Sequence, residues 1–162
     1  VDYETARLNL HPVDEAEARR IRDASPGAGD LWAKGYPFGG DLAALGGFLQ
    51  ATERDGEQRP FGYYQIRLLS DGLAVGGVGF KGQPVDGAVE VGYGLIESAR
   101  GHGFAAEALE QLMRIAREAG VTTIRADTEL DNTASSVTLQ RAGFHHVGAD
   151  SELLYYEANI ER

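Results

Sequence analysis

The chain contains no cysteine. That absence excludes disulfides, a thiol nucleophile and a cysteine-based zinc site. Lysine is almost missing as well: Lys34 and Lys81 stand against thirteen arginines. Neither lysine sits in the Gly-Lys-Ser/Thr context of a Walker-type phosphate loop, so that class is excluded. No run approaches the ~18 apolar residues of a membrane span. The first residues, "VDYETARL", have neither the basic nor the apolar region of a signal peptide. Basic charge is scarce overall. A net charge of −10 argues against a nucleic-acid surface, which needs a basic patch. An acidic field instead attracts a cationic partner such as an amine, although solubility alone explains it more simply.

What remains is an ordinary globular composition, 43% hydrophobic and 25% charged, over 162 residues. The length fits one domain, 1–162, and the missing cysteine fits a cytoplasmic enzyme. Glycine is the surplus: 22 residues, about twice the usual ~7%. Glycines matter where backbone must approach something closely.

Periodicity predicts a mixed α/β order. A first strand is expected over Thr5–His11 and a helix over Asp14–Ala24. The stretch "DLWAKGYPFGGDLAALGGFLQATERDG" is irregular in its first half and helical from Asp41. Trp32, Tyr36 and Phe38 in that first half, with Tyr64 beyond it, are candidates to wall an acceptor pocket, and local core is the competing reading. From Phe61, "FGYYQIRLL", "LAVGGVGFK" and "AVEVGYGLI" are separated by turn signals and predict an antiparallel meander. A helix from Gly103 to Ala119, a strand "VTTIRADT", a short helix "NTASSVTLQRA" and a last strand "ELLYYEANI" complete a β–α–β–α–β segment. His145 and His146 lie beside no carboxylate pattern and read as strand residues, and no metal is expected.

"SARGHGFAAEAL" opens the longest of these helices. A helix N-terminus presents backbone N–H groups with no intrahelical partner, and with the helix dipole these attract a phosphate. Glycine at 101 and 103 clears the space and Arg100 adds charge, although a plain glycine-rich turn fits the string equally. Two dinucleotide spacings compete. Gly77-x-Gly79-x-x-Gly82 runs on into Gln83-Pro84 and opens no helix. Gly101-x-Gly103-x-x-Ala106 does open one, with Asp127 on the next strand, so an NAD-dependent oxidoreductase is a rival reading. Against it, Glu97 to Arg100 separate strand from glycine, and about thirty-five residues after the next strand are too few for a second sheet half.

Arg100-Gly101-His102-Gly103-Phe104-Ala105 resembles the Arg/Gln-x-x-Gly-x-Gly/Ala signature of the GNAT superfamily of acyl-CoA-dependent N-acyltransferases. "VEVGYGLIESARGHGFAAEAL" is similar to that family's central strand and pyrophosphate loop, and "DNTASSVTLQRAGF" to its Asn-x-x-Ser…Gly-Phe element. The phrasing looks most like the branch of ribosomal-protein N-terminal acetyltransferases. The resemblance implies a mixed sheet with splayed central strands and acetyl-CoA as cosubstrate. It implies acetyl transfer in a ternary complex to a small amine or a peptide N-terminus, and allows a homodimer. Tyr93, Leu95 and Ile96 would offer backbone to pantetheine and the acetyl carbonyl, with Gly92 and Gly94 marking a bulge that opens the slot. Arg100, Gly101, His102, Gly103, Phe104, Ala105 and Ala106 would hold the pyrophosphate.

An alkyl amine with pKa near ~10.4 must lose a proton before it attacks. Glu90, a charge inside an apolar strand, is the candidate base; pairing with an arginine such as Arg67, or plain exposure, is the alternative. Asn132 would reach the pantetheine amides, or simply cap its helix. Ser135 matches the family's serine beside the cofactor. Leu139 stands where many members carry the tyrosine that protonates the leaving thiolate, so the acid is left among Ser135, Ser136, water or none. A non-catalytic acyl-CoA-binding module is the other rival.

Overall fold

Local signals account for most of the elements in the computed structural model, which describes residues 1–161. The strands are β1 (Tyr3–Glu4), β2 (Leu8–Pro12), β3 (Tyr63–Leu68), β4 (Ala74–Phe80), β5 (Ala88–Leu95), β6 (Thr123–Glu129), β7 (His145–Ala149) and β8 (Leu153–Asn159). The helices are α1 (Glu15–Arg22), α2 (Gly39–Asp55), α3 (Phe104–Glu118) and α4 (Thr133–Arg141). Asp14 starts α1 with a capping box: its carboxylate accepts from the Glu17 N–H at 2.8 Å, and Glu17 accepts from the Asp14 N–H at 3.1 Å. Ala108, Leu109, Leu112, Ile115 and Ala116 form the buried stripe of α3, spaced as one face of a 3.6-residue period.

The strands form one sheet in the order β1-β2-β3-β4-β5-β6-β8-β7. Helix α3 packs on β2, β4 and β5, with α4 beside it, while α2 lies against β3 and packs on α1. Strands β3, β4 and β5 are the antiparallel meander that the turn signals predicted. Among the strands of the described residues, only β5 and β6 pair in parallel, besides a single parallel bridge from Trp32 to Ala74. A doubly wound dinucleotide fold needs a mostly parallel sheet, so the oxidoreductase reading loses its framework here.

Three boundaries differ from expectation. The first strand is interrupted, because Thr5 turns back on Leu8 through N–H···O=C and hydroxyl contacts. Helix α2 begins at Gly39, two residues early. The segment after α4 carries two strands instead of one: β7, with His145 and His146, forms the sheet edge, and β8 threads between β6 and β7.

Candidate active site

Strands β5 and β6 pair only from Ala88↔Thr123 to Glu90↔Arg125. Beyond Glu90 each follows its other neighbour, β5 staying on β4 to Leu95 and β6 on β8 to Glu129. A wedge-shaped slot opens between them. Along β5, the Glu90 carbonyl accepts from Lys81 and the Ile96 N–H donates to Val75, both toward β4. Backbone groups alternate along a strand, so those of Tyr93 and Leu95 face the slot. The Leu95 carbonyl is taken by Arg100 Nε at 3.0 Å. The Tyr93 pair and the Leu95 N–H remain an open edge. Ile96 does not join them, because its N–H is spent on β4.

The bulge expected at Gly92 and Gly94 is absent: the register runs evenly from Phe80↔Val91 to Gly76↔Leu95. The slot opens by divergence of β5 from β6. Gly94 serves another purpose, since a Cβ there would lie 2.4 Å from Phe38 Cζ. Glycine lets the Phe38 ring rest on the strand.

At the slot's end the chain makes a short helical turn, Glu97–Ala99, and enters α3 through Gly101 and Gly103, at φ 82° and 81°. Those left-handed conformations favour glycine. Among the described residues, the N–H groups of Gly101 and of Gly103 to Ala106 find no acceptor within the protein, whereas the His102 N–H closes a turn over Arg100 and Gly101 and the Arg100 N–H is held by Glu97 at 3.2 Å. Arg100 is therefore a clamp on the loop, with its N–H and Nε both committed. His102 and Phe104 stack at 5.4 Å, and Arg7 lies over Phe104 at 4.5 Å while Nη1 donates to the His102 carbonyl at 2.8 Å. Arg7 also holds Glu107 at 2.8 Å. Burial alone would raise the Glu107 pKa, but hydrogen bonds from Thr5 and Arg7 more than offset it and the net shift is downward. Arg7 lies in the first strand region, far from the loop in sequence, and no local signal marks it.

Across the slot, Asn132 Oδ1 accepts from the Ser135 N–H at 3.1 Å, the capping role. Ser135 Oγ lies 2.5 Å from the Tyr93 hydroxyl, which burial pushes upward in pKa. Leu139 is fully buried and belongs to the core. A tyrosine hydroxyl thus reaches the slot from β5, although the sequence suggested only a backbone role for Tyr93.

A cavity of about 620 Å³ continues from the slot across β4 and beneath α2. Its floor is the glycine run of β4: a Cβ on Gly77 would sit 2.1 Å from the Tyr63 hydroxyl oxygen. Of the four aromatics expected as pocket walls, Phe38 alone lines it. Tyr64 faces the other side, buried and bonded to the Pro60 carbonyl at 2.7 Å. Trp32 packs edge-on against Tyr36 at 5.5 Å, behind the cavity. The lining residue that sequence reading missed is Asp41, 3% exposed in the first turn of α2. Its Oδ1 accepts from the Tyr63 hydroxyl at 2.7 Å and its Oδ2 from the Phe38 N–H at 3.2 Å. Burial pushes its pKa from 3.8 up to about 6.

Glu90 stands on the face of Gly92 and Gly94 but outside the cavity lining, half-exposed, 4.0 Å from Lys81 Nζ. The expected partner Arg67 is elsewhere, bonded to Gln65 Oε1 at 2.7 Å. Among the described residues, no group of three or more His, Asp or Glu side chains could hold a metal, and no helix is long and apolar enough to cross a membrane.

A slot with an open strand edge, ending at a helix N-terminus with unengaged N–H groups, has the shape and polarity to take an extended ligand with an anionic group. Comparison with known proteins gives the class a name. The acetyltransferase (GNAT) domain profile matches residues 7–145, and the chain belongs to that family of N-acetyltransferases. It is 29% identical over 148 residues to the uncharacterized N-acetyltransferase YjdG of Bacillus subtilis, covering 87% of this chain and 88% of that one. The solved acetyltransferase of Agrobacterium tumefaciens is 27% identical with a TM-score of 0.68, covering 98% and 94% of the two chains. The ribosomal-protein-S5-alanine acetyltransferase of Vibrio fischeri shares the fold at TM-score 0.68 and 14% identity, over 98% and 96%. A ribosomal L7/L12 α-N-protein acetyltransferase, RimL, solved with coenzyme A, shares it at 0.67 and 20%, over 97% and 96%.

Proposed function

We propose that the protein transfers the acetyl group of acetyl-CoA directly to a primary amine, on a small molecule or a peptide N-terminus, with both bound at once. The observation that carries this is the set of five unengaged N–H groups, Gly101 and Gly103 to Ala106, at the end of a slot with a free strand edge. The pyrophosphate rests on those N–H groups, and the pantetheine arm extends β5 through Tyr93 and Leu95. Asn132, committed to its cap, contributes by fixing the start of α4. A structural neighbour named for acting on the α-amino group of a ribosomal protein supports keeping peptide N-termini among the acceptors.

Acetyl-CoA supplies a thioester carbonyl already activated for attack. The amine lone pair forms the new C–N bond, the C–S bond breaks, and one proton must leave nitrogen while the thiolate gains one. The slot-facing N–H of Tyr93 stabilises the oxygen that becomes negative, and that of Leu95 is left to pair with pantetheine. Glu90, two residues before Gly92 on the same face, accepts the amine proton through water. The Tyr93 hydroxyl, held by Ser135, protonates the leaving sulfur in place of the tyrosine that Leu139 cannot supply.

Calorimetric titration with acetyl-CoA tests the donor site, with NADH as control. Micromolar binding that is lost in Gly103→Val, with NADH inert, is the expected result. Valine at φ 81° is strained and displaces the loop. Absence of acetyl-CoA binding would overturn the reading.

A further inference from the structure

Beneath α2 a hydrogen-bond chain ends on Asp41, and with that carboxylate ionised the chain has one direction. Arg67 can only donate, so Gln65 Oε1 accepts from it at 2.7 Å and the Gln65 amide must donate to the Tyr36 hydroxyl at 3.3 Å. An ionised Asp41 can only accept, so Tyr63 donates to its Oδ1 at 2.7 Å, which leaves Tyr36 to donate to Tyr63 at 3.3 Å. Every proton points toward Asp41. The Phe38 N–H points at its other oxygen. The network is satisfied by an ionised carboxylate, yet among the described residues no cationic side chain pairs with it. A buried anion without a counter-ion is costly unless a ligand supplies one.

The cavity places that anion beside the chemistry. Tyr63 lies over Gly77, whose cross-strand partner Gly94 borders the slot, and adjacent strands are about 4.8 Å apart. Part of the wall is apolar, with Ala44, Phe48, Ala51 and Phe80. The other ionisable groups facing the cavity are Arg54 on α2, Lys81 just past the end of β4, Tyr63 on β3, Tyr93 on β5 and Asp127 on β6.

We infer that Asp41, oriented by the Arg67–Gln65–Tyr36–Tyr63 chain, is the specificity-determining residue of the acceptor site and selects a protonated primary amine carried on an apolar body. This rests on the acetyltransferase reading, because it assigns the cavity to the acceptor. The carboxylate anchors the ammonium over β4, one strand spacing from the slot edge at Gly94. Burial raises its pKa only to about 6, so it is charged at neutral pH.

The test is calorimetric binding to the coenzyme A complex, in which no transfer occurs. Butylamine and phenethylamine are compared with butanol and phenethyl alcohol, which have the same bodies without charge. The wild type should bind the amines at least tenfold more tightly than the alcohols. Asp41→Asn should erase that preference while leaving coenzyme A affinity within twofold. Tyr63→Phe, which keeps the charge and removes one donor, should retain it. Equal binding of amines and alcohols by the wild type, no amine binding, or an intact preference in Asp41→Asn would each overturn the inference. If Asp41→Asn does not fold, the wild-type comparison still decides. Loss of coenzyme A binding in the wild type would instead strike the acetyltransferase reading.

Discussion

A carboxylate kept charged in a buried site for a ligand's sake should cost the free protein stability, and Asp41→Asn measures that cost. The Asp41 pKa is about 6 in the folded protein against 3.8 for an ordinary aspartate. The folded state therefore binds the proton more tightly than the unfolded state. Stability from this group is fully present below pH 3.8 and is lost as pH rises through 6. At 1.36 kcal/mol per pH unit the loss is about 3 kcal/mol at about pH 7.5, and about 1.6 kcal/mol at about pH 5. Asparagine removes the charge at both pH values, but its NH₂ group replaces an acceptor of the Phe38 N–H or the Tyr63 hydroxyl, costing about 1–2 kcal/mol. The net effect is a gain of about 1–2 kcal/mol at pH 7.5, which is nearly cancelled at pH 5. For a protein of this size 1 kcal/mol is roughly 2–4 °C in Tm. The difference in Tm between variant and wild type should thus shrink by roughly 3–6 °C between the two pH values, read by differential scanning calorimetry of the ligand-free protein. A Tm difference of one size at both pH values would mean that Asp41 is only a helix-capping residue, and the charge argument would fail.

Glu90→Gln should lower kcat several-fold or more on an amine turned over by the wild type, with the deficit growing as pH falls, and leave acetyl-CoA affinity unchanged. Unaltered turnover across pH would remove Glu90 from the proton path. Tyr93→Phe should lower kcat about tenfold or more, as expected for loss of a general acid, with acetyl-CoA affinity kept within a few-fold. Equal losses in kcat and affinity would mark the hydroxyl as a structural tie to Ser135.

The acetyl-donor half of the site was legible in the sequence because it is built from contiguous backbone. The apolar stripe of α3, the glycines at 101 and 103 and the cap at Asn132 are all local, since period, sign of φ and N-cap chemistry are properties of a few neighbouring residues. The strand β5 was legible for the same reason, and so was the meander that carries it. What the slot exposes was only partly so. Whether Ile96 faces the slot or β4, and whether Gly94 marks a bulge or a seat for Phe38, depends on register against another strand.

The acceptor half was decided by the tertiary structure. Asp41 in "FGGDL" carries no local sign of function; its meaning comes from burial beneath α2 and from Tyr63, twenty-two residues away. Glu90 meets Lys81 instead of Arg67 because the β4–β5 register, not sequence proximity, sets its neighbour. Tyr64 and Tyr63 are adjacent in the chain, yet only Tyr63 lines the cavity, since successive side chains of a strand point to opposite faces. Sequence specifies conformations that a few residues settle among themselves. Desolvation and charge pairing depend on what the fold brings together, so the group that loses its water without gaining a counter-ion is visible only in the folded chain.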